Sequence, residues 1–157
     1  NRAGLSAEAP NRIVTMIGAI LLYVAFRRFH RQWLLSVPME WLCFAAVLGG
    51  IAFAWWARLH LGALWSGNVT RKPDHRIVDT GPYAIVRHPI YTGILFSAFA
   101  TAIAGGTLWA LVGAALMAVG FAMKARLEET FLVSELGEAS YAAYRARVPM
   151  LVPFGPR

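Results

Sequence analysis

Two small groups of polar residues stand at the ends of apolar runs, where they are suited to bind a charged ligand. The sequence Arg-His-Pro at 87–89 precedes one run, and Glu128 and Glu129 follow another. These cations and carboxylates could simply balance each other's charge at a membrane surface. Alternatively they could bind a zwitterion, since a carboxylate accepts hydrogen bonds from Arg or His and an ammonium group binds a carboxylate. Tyr83 and Tyr91 would then offer aromatic surface to a ring or a sulfonium.

Other chemistries find less support among the residue types. The histidines do not have the spacing of metal ligands; they are His30, His60, His75 and His88. We therefore expect no metal site, and we expect only a structural or solvent role for His30 and His60. The sequence also contains no glycine-rich phosphate loop and no nucleophilic serine motif.

Composition places these groups in a membrane protein. Of the 157 residues, 58% are hydrophobic and 15% are charged, whereas a typical soluble domain is about 45–50% apolar and about 25% charged. The mean hydropathy is +0.52. The formal net charge is +7, but the basic residues flank apolar runs instead of covering a polar face. This pattern favours contact with the anionic lipid of a bilayer over contact with nucleic acid.

Four apolar runs predict an all-α integral membrane protein with about four transmembrane helices. The turn at 105–107 joins the last two runs tightly, which predicts a C-terminal antiparallel helical hairpin whose small residues let the two helices approach closely. The first run would cover only about 21 Å as a helix, short of the roughly 30 Å hydrocarbon core. It would span with help from its flanks, and a half-inserted helix is the alternative. The runs are 13–26, 37–57, 90–104 and 108–122.

The distribution of basic residues predicts how the chain is oriented. The loop at 58–89 and the tail from 124 onward carry five Lys or Arg residues each, and the turn at 105–107 carries none. Because cytoplasmic segments are enriched in Lys and Arg, we expect this loop and the tail in the cytosol. The arginines at 27–31 would then lie on the opposite side, in conflict with the same rule.

The polar segments, taken together, resemble a known family. Residues 75–93 read His-Arg-Ile-Val-Asp-Thr-Gly-Pro-Tyr-Ala-Ile-Val-Arg-His-Pro-Ile-Tyr-Thr-Gly, and a second half follows the hairpin. The order and spacing resemble the signature of the isoprenylcysteine carboxyl methyltransferases and related membrane phospholipid methyltransferases. The resemblance covers roughly residues 58–154. Its second half consists of Glu128-Glu129, Leu132, Leu136-Gly137, Tyr141, Tyr144, Val148-Pro149 and Pro153.

This resemblance implies that the methyl donor S-adenosylmethionine binds at the cytosolic membrane face. It implies backbone contacts to the donor from the segment between Val78 and Gly81. It also implies acceptor-side roles for Arg126 and Glu129, which lie three residues apart on one helix and are expected to share a face. Lys124 is the alternative to Arg126. The side chains implied to line the donor pocket are His75, Tyr83, Arg87, His88, Tyr91, Glu128 and Glu129.

The sequence thus predicts one membrane methyltransferase domain, 1–157, with N-terminal helices in 1–57 and a cofactor-binding catalytic core in 58–154. The expected acceptor is lipophilic: an isoprenylcysteine-like carboxylate, a phospholipid amine or a small thiol. A carboxylate acceptor needs only a neighbouring cation such as Arg126, whereas an amine or thiol needs a base such as Glu129. The alternatives are an NADPH-dependent enzyme similar to the membrane sterol reductases, and a non-catalytic membrane scaffold.

Overall fold

A computed structural model describes residues 2–29, 31–62 and 77–155, so the predicted donor residue His75 lies outside the described residues. Within the described residues the secondary structure is entirely helical, which confirms the predicted all-α class. The α-helices are α1 Arg2–Arg28, α2 Val37–Leu61, α3 Pro89–Gly105, α4 Leu108–Leu136 and α5 Glu138–Arg147, and a short 3-10 helix covers Gly81–Ala84.

Three described segments are long and apolar enough to cross a membrane: Ala7–Arg28, Val37–Leu61 and Leu108–Ser134. Helix α3 is also apolar, but its 17 residues extend only about 26 Å. The chain is therefore an integral membrane protein, and its described part contains three candidate spans and one shorter apolar helix.

Helix α1 is longer than the sequence predicts. The apolar run at 13–26 indicates a helix of marginal length, whereas α1 has 27 residues and contains Pro10. The polar residues that precede the run are part of the packed helix, since Glu8 and Asn11 are each only 3% exposed. The predicted length was wrong because this end of the helix is stabilised by packing against α4, a contact that composition does not reveal.

The helices pack mainly as two antiparallel pairs, α1 with α4 and α2 with α3. Glycines make the close approach possible: a Cβ added to Gly113 would lie 2.8 Å from the carbonyl oxygen of Gly18. Gly93 of α3 lies against Gly50 of α2 in the same way. Small residues of α3 and α4 are predicted to join these two helices to each other. This is wrong for Gly93, which contacts α2, and for Gly113, which contacts α1.

The predicted hairpin between α3 and α4 is present and is held by alanines. Ala98 and Ala102 of α3 share a buried core with Ala110 and Ala114 of α4. The connection turns at Gly106, which has the left-handed φ of 68° that glycine adopts without strain.

Antiparallel packing brings four helix ends together at one end of the molecule. These ends are the beginnings of α1 and α3 and the ends of α2 and α4, and α5 packs there against α4. At the other end, the segment after α1 covers the hairpin turn. The backbone N–H of Gln32 donates to the carbonyl of Gly106 at 2.6 Å, and Trp33 Nε1 donates to the carbonyl of Ile103 at 3.1 Å.

Candidate active site

Arg87 ties the beginning of α3 to α4 and to the tail. Its Nε donates a hydrogen bond to Glu129 Oε1 at 2.7 Å, and one terminal nitrogen lies 3.4 Å from Glu129 Oε2. The other terminal nitrogen donates to the carbonyl oxygens of Arg145 and Val148. Arg87 and Glu129 are both buried, and breaking a buried pair by removing one partner costs about 3–5 kcal/mol. The ion pair therefore anchors the tail as well as balancing charge.

His88 lies between two carboxylates. Its backbone N–H donates to the carbonyl of Met150 at 3.1 Å, which holds it against the tail. Its Nε2 lies 3.2 Å from Glu129 Oε1, and its Nδ1 lies 3.6 Å from Glu128 Oε2. Burial alone would lower the pKa of His88, but the hydrogen bonds and charges of Glu128 and Glu129 outweigh it and raise the pKa above its usual value. The site therefore favours the cationic form of His88.

Tyr91, in the first turn of α3, extends this cluster. Its ring stacks on the His88 ring with the centroids 5.5 Å apart and the planes 5° from parallel. The Tyr91 hydroxyl donates to Glu128 Oε1 at 2.6 Å. Phe121 packs on Tyr91 with centroids 4.9 Å apart, and Lys124 Nζ lies 5.6 Å from the Tyr91 ring centroid. The cluster thus combines the aromatic surface of Tyr91 with the carboxylate of Glu128, which lies near both His88 and Lys124.

The 3-10 helix is held against the tail beside this cluster. The hydroxyl of Tyr144, on α5, donates to the carbonyl of Tyr83 at 2.7 Å. Burial raises the pKa of the Tyr144 hydroxyl above its usual value, so the group remains a donor. Arg147 also pairs with Asp79 at 3.2 Å. The segment that contains the predicted contacts Val78, Gly81 and Tyr83 therefore depends on the tail for its position.

Five of the predicted side chains come together in this cluster, but Arg126 does not join it. The sequence predicts that Arg126 and Glu129 share a helix face, but in the structure Glu129 is buried whereas Arg126 is exposed. Residues three apart on a helix differ by about 60° in direction, which is enough to separate a buried side from an exposed one. Lys124, the alternative cation, lies 3.8 Å from Glu128 Oε1. The five side chains are Arg87, His88, Tyr91, Glu128 and Glu129.

Sequence reasoning missed a carboxylate that α1 contributes near the cluster. Glu8 is buried, pairs with Arg12, and lies close enough to Tyr91 to act on it electrostatically. The only sequence signal was the i,i+4 spacing of Glu8 and Arg12. That spacing is common on solvated helices, and it does not indicate that α1 packs on α4.

An apolar cavity of about 420 Å³ lies between α2 and α3. Among the described residues, its wall is formed mainly by aliphatic and aromatic side chains and includes the cation Arg58. Arg58 of this wall and Glu128 of the polar cluster both act electrostatically on Tyr83. The lining residues are Ile51, Ala54, Trp55, Arg58, Ile90, Ile94 and Ser97.

Comparison with known proteins supports the resemblance seen in the motifs. Residues 41–134, more than half of the chain, match the model of the isoprenylcysteine carboxyl methyltransferase family. The chain is 37% identical over 87 residues to the protein-S-isoprenylcysteine O-methyltransferase of Schizosaccharomyces pombe. It is 37% identical over 91 residues to the methanethiol S-methyltransferase of a Pseudomonas species. These alignments cover 55% and 57% of this chain but 36% and 32% of the relatives, so the chain spans about a third of their length.

The fold itself is similar to a solved structure of the eukaryotic intramembrane Ras methyltransferase ICMT. The superposition has a TM-score of 0.68 at 22% identity and covers 98% of this chain and 53% of that one. This similarity supports the helical membrane architecture. Because the family model matches more than half of its length, the chain belongs to the isoprenylcysteine carboxyl methyltransferase family.

Proposed function

We propose that this chain binds S-adenosylmethionine at the head of α3 and transfers its methyl group to a lipophilic acceptor. The observation that carries the proposal is the convergence of Glu128 and Glu129 on His88, beside the stacked ring of Tyr91. Family membership and the names of the relatives favour this function over an NADPH-dependent reductase or a non-catalytic scaffold.

The residues of the cluster fit the chemistry of this donor. S-adenosylmethionine, when bound, supplies a methyl group already activated by its sulfonium, so the protein needs chiefly to position and desolvate the reacting atoms. Glu128 is suited to a cationic group of the donor because its side chain is 22% exposed and lies beside Tyr91, from whose hydroxyl it accepts a hydrogen bond. Glu129, whose side chain is only 8% exposed, already binds Arg87 and His88.

Geometry suggests a division of labour among the polar residues. Arg87 and Glu129 hold α3, α4 and the tail together, which keeps His88 at the mouth of the site. The role of Glu129 as a base for an amine or thiol acceptor stays a prediction. One of its carboxylate oxygens would have to release Arg87 or His88 in order to contact the acceptor. The donor contacts predicted for His75, Val78, Gly81 and Tyr83 also remain proposals.

The cavity between α2 and α3 offers a route for the apolar part of an acceptor. It is lined by side chains of two membrane helices, so a lipid chain would enter it sideways from the bilayer. Arg58 stands in its wall and would attract an acceptor that carries a carboxylate. Among relatives, one is named for an isoprenylcysteine and another for methanethiol. We therefore propose that the acceptor is a thiol or a cysteine derivative. We also propose, from the distribution of basic residues, that the head of α3 lies on the cytoplasmic face.

Binding and turnover measurements test this function. Purified protein should bind S-adenosylhomocysteine with a stoichiometry near one and should not bind NADPH. Glu128→Gln should weaken the binding by roughly 10–150-fold, which corresponds to the loss of one charge-assisted contact. Arg126→Ala is the matched control on α4, since its side chain is exposed.

Transfer of labelled methyl from S-adenosylmethionine to farnesylcysteine or to a small thiol would identify the acceptor. Folded protein that binds no S-adenosylhomocysteine at millimolar concentration would refute the proposal.

A further inference from the structure

His60, in the last turn of α2, contacts the segment proposed to bind the methyl donor. The spacing of the histidines predicts only a structural or solvent role for it, yet the structure gives its ring specific partners. Nε2 of His60 lies 2.9 Å from the hydroxyl oxygen of Thr80. The ring also stacks on Tyr83, with the centroids 6.4 Å apart and the planes 24° from parallel.

Between these two contacts the imidazole lies directly against the backbone of Gly81. A Cβ added at Gly81 would lie 2.8 Å from Cε1 of His60 and 3.0 Å from each ring nitrogen. Gly81 also has a φ of 57°, in the left-handed region that favours glycine. The glycine is therefore required both by its own conformation and by the imidazole packed on it.

The opposite side of this segment is held by the tail. The Tyr83 carbonyl accepts the hydroxyl of Tyr144, while the Tyr83 backbone N–H donates to the carbonyl of Thr80 at 3.1 Å. A 3-10 helix of four residues has little stability of its own. Residues 80–83 therefore take their position from two clamps, His60 on α2 and Tyr144 on α5.

We propose that His60 is a positioning residue for donor binding, which acts through the backbone at Thr80–Gly81 and the ring of Tyr83. This inference rests on the proposed function, because it treats 78–83 as part of the donor pocket. Loss of the imidazole should release one clamp and let the segment leave its binding conformation. Donor affinity should fall, whereas acceptor KM at saturating donor should not change, since the cavity that would hold the acceptor is lined by other residues.

The first test compares His60→Ala with its neighbour Leu59→Ala, whose side chain is 62% exposed. His60→Ala should weaken S-adenosylhomocysteine binding by about tenfold, as expected for the loss of one hydrogen bond and one stacking contact. Leu59→Ala should stay within about twofold of the parent protein, inside the scatter expected of a surface substitution. A merely structural role would instead lower the melting temperature and leave donor affinity unchanged in the protein that stays folded, and this result would overturn the inference.

A double-mutant cycle provides the sharper test. Gly81→Ala alone should weaken donor binding by at least about thirtyfold, because the new methyl group meets the imidazole and the left-handed backbone is strained. In the His60→Ala background the same substitution should add only roughly fivefold, since the backbone strain alone remains. An equal effect of Gly81→Ala in both backgrounds would show that His60 does not act through this backbone. Parent protein that binds no S-adenosylhomocysteine would instead refute the proposed function.

Discussion

At the scale of single residues, His88 connects the parts of the candidate site. Its backbone is bound to the tail, its ring stacks on Tyr91, and both ring nitrogens face carboxylates of α4. The charged and titratable groups around it are Glu128 and Glu129 from α4, Tyr91 from α3 and the adjacent Arg87. The two carboxylates raise the pKa of His88, so folding and protonation of this residue are linked.

The raised pKa predicts how stability depends on pH. Stabilisation by protonated His88 should be fully present below the unfolded pKa of about 6.5 and should be lost as pH rises through the raised pKa of the folded protein. A charge-assisted contact contributes about 1.5–3 kcal/mol, so His88→Gln should lower the melting temperature near pH 6 by about 3–10 °C. The difference between parent and variant should shrink toward alkaline pH. Melting curves in detergent at several pH values check this, and a difference that grows with pH would contradict it.

The sequence predicts that the residues of the polar cluster lie together, because they belong to two compact motifs on either side of a hairpin, and the structure brings five of them into contact. The partners of Arg87 could not be predicted in the same way. Its guanidinium binds the carbonyl of Val148, 61 residues further along the chain, and a carbonyl has no sequence signature. The sequence also leaves Lys124 as an alternative to Arg126 for the cation near the acceptor. The two residues point in different directions from the same helix, and the sequence does not show which direction faces the site.

At the scale of elements, glycine pairs determine which helices pack closely. On α2, Gly50 faces α3 so closely that an added Cβ would lie 2.6 Å from the carbonyl oxygen of Gly93 and would also meet the Ser97 hydroxyl. That hydroxyl donates to the carbonyl of Val47 at 2.9 Å and so adds a polar contact between the same helices. The adjacent Gly49 has open space at its Cβ position. Neighbouring glycines therefore have different roles, which provides a matched pair.

Substitution of these two glycines should separate packing from helix propensity. Gly50→Ala should destabilise the protein by about 1–3 kcal/mol because the methyl group forces α2 and α3 apart. Gly49→Ala should be neutral or stabilise the protein by up to about 1 kcal/mol, since alanine is the better helix former. Thermal melting in detergent measures both effects. Equal destabilisation by the two substitutions would show that the α2–α3 contact is not as close as described.

The existence of the helices could be predicted from the apolar runs, but their pairing could not. Hydropathy assigns residues to the membrane without stating which helices are neighbours. The hairpin predicts that the glycines of α3 and α4 lie between these two helices. In the structure Gly93 lies instead against α2, and Gly113 lies against α1. The length of α1 depends on the same information, because Glu8 and Asn11 are buried where α1 packs against other helices, mainly α4.

At the scale of the whole molecule, the two ends differ in their number of basic residues. The end with the candidate site contains most of the basic residues that the structure describes. The opposite end carries Arg27, Arg28 and Arg31, which from sequence conflict with the predicted orientation. In the structure Arg31 pairs with Glu40 at 3.0 Å, and several basic residues of the site end are paired in the same way, so the predicted orientation depends on the number of basic residues at each end. The basic residues at the site end include Arg12, Arg58, Arg87, Lys124, Arg126, Arg145 and Arg147.

This asymmetry predicts that the candidate site faces the cytosol and that the hairpin turn faces the other side. Two single cysteines in a Cys43→Ala background would report the orientation. Leu34→Cys suits the turn end, because Leu34 is 81% exposed. A cysteine at Gly106 would be less suitable, because Gly106 has a left-handed φ and an added Cβ would lie 2.6 Å from the carbonyl oxygen of Trp33. Glu138→Cys, at the exposed start of α5, suits the site end. A membrane-impermeant maleimide added to intact cells should label position 34 and should reach position 138 only after permeabilisation. The reverse pattern would show that the charge at 27–31, and not the charge of the loop and tail, sets the orientation.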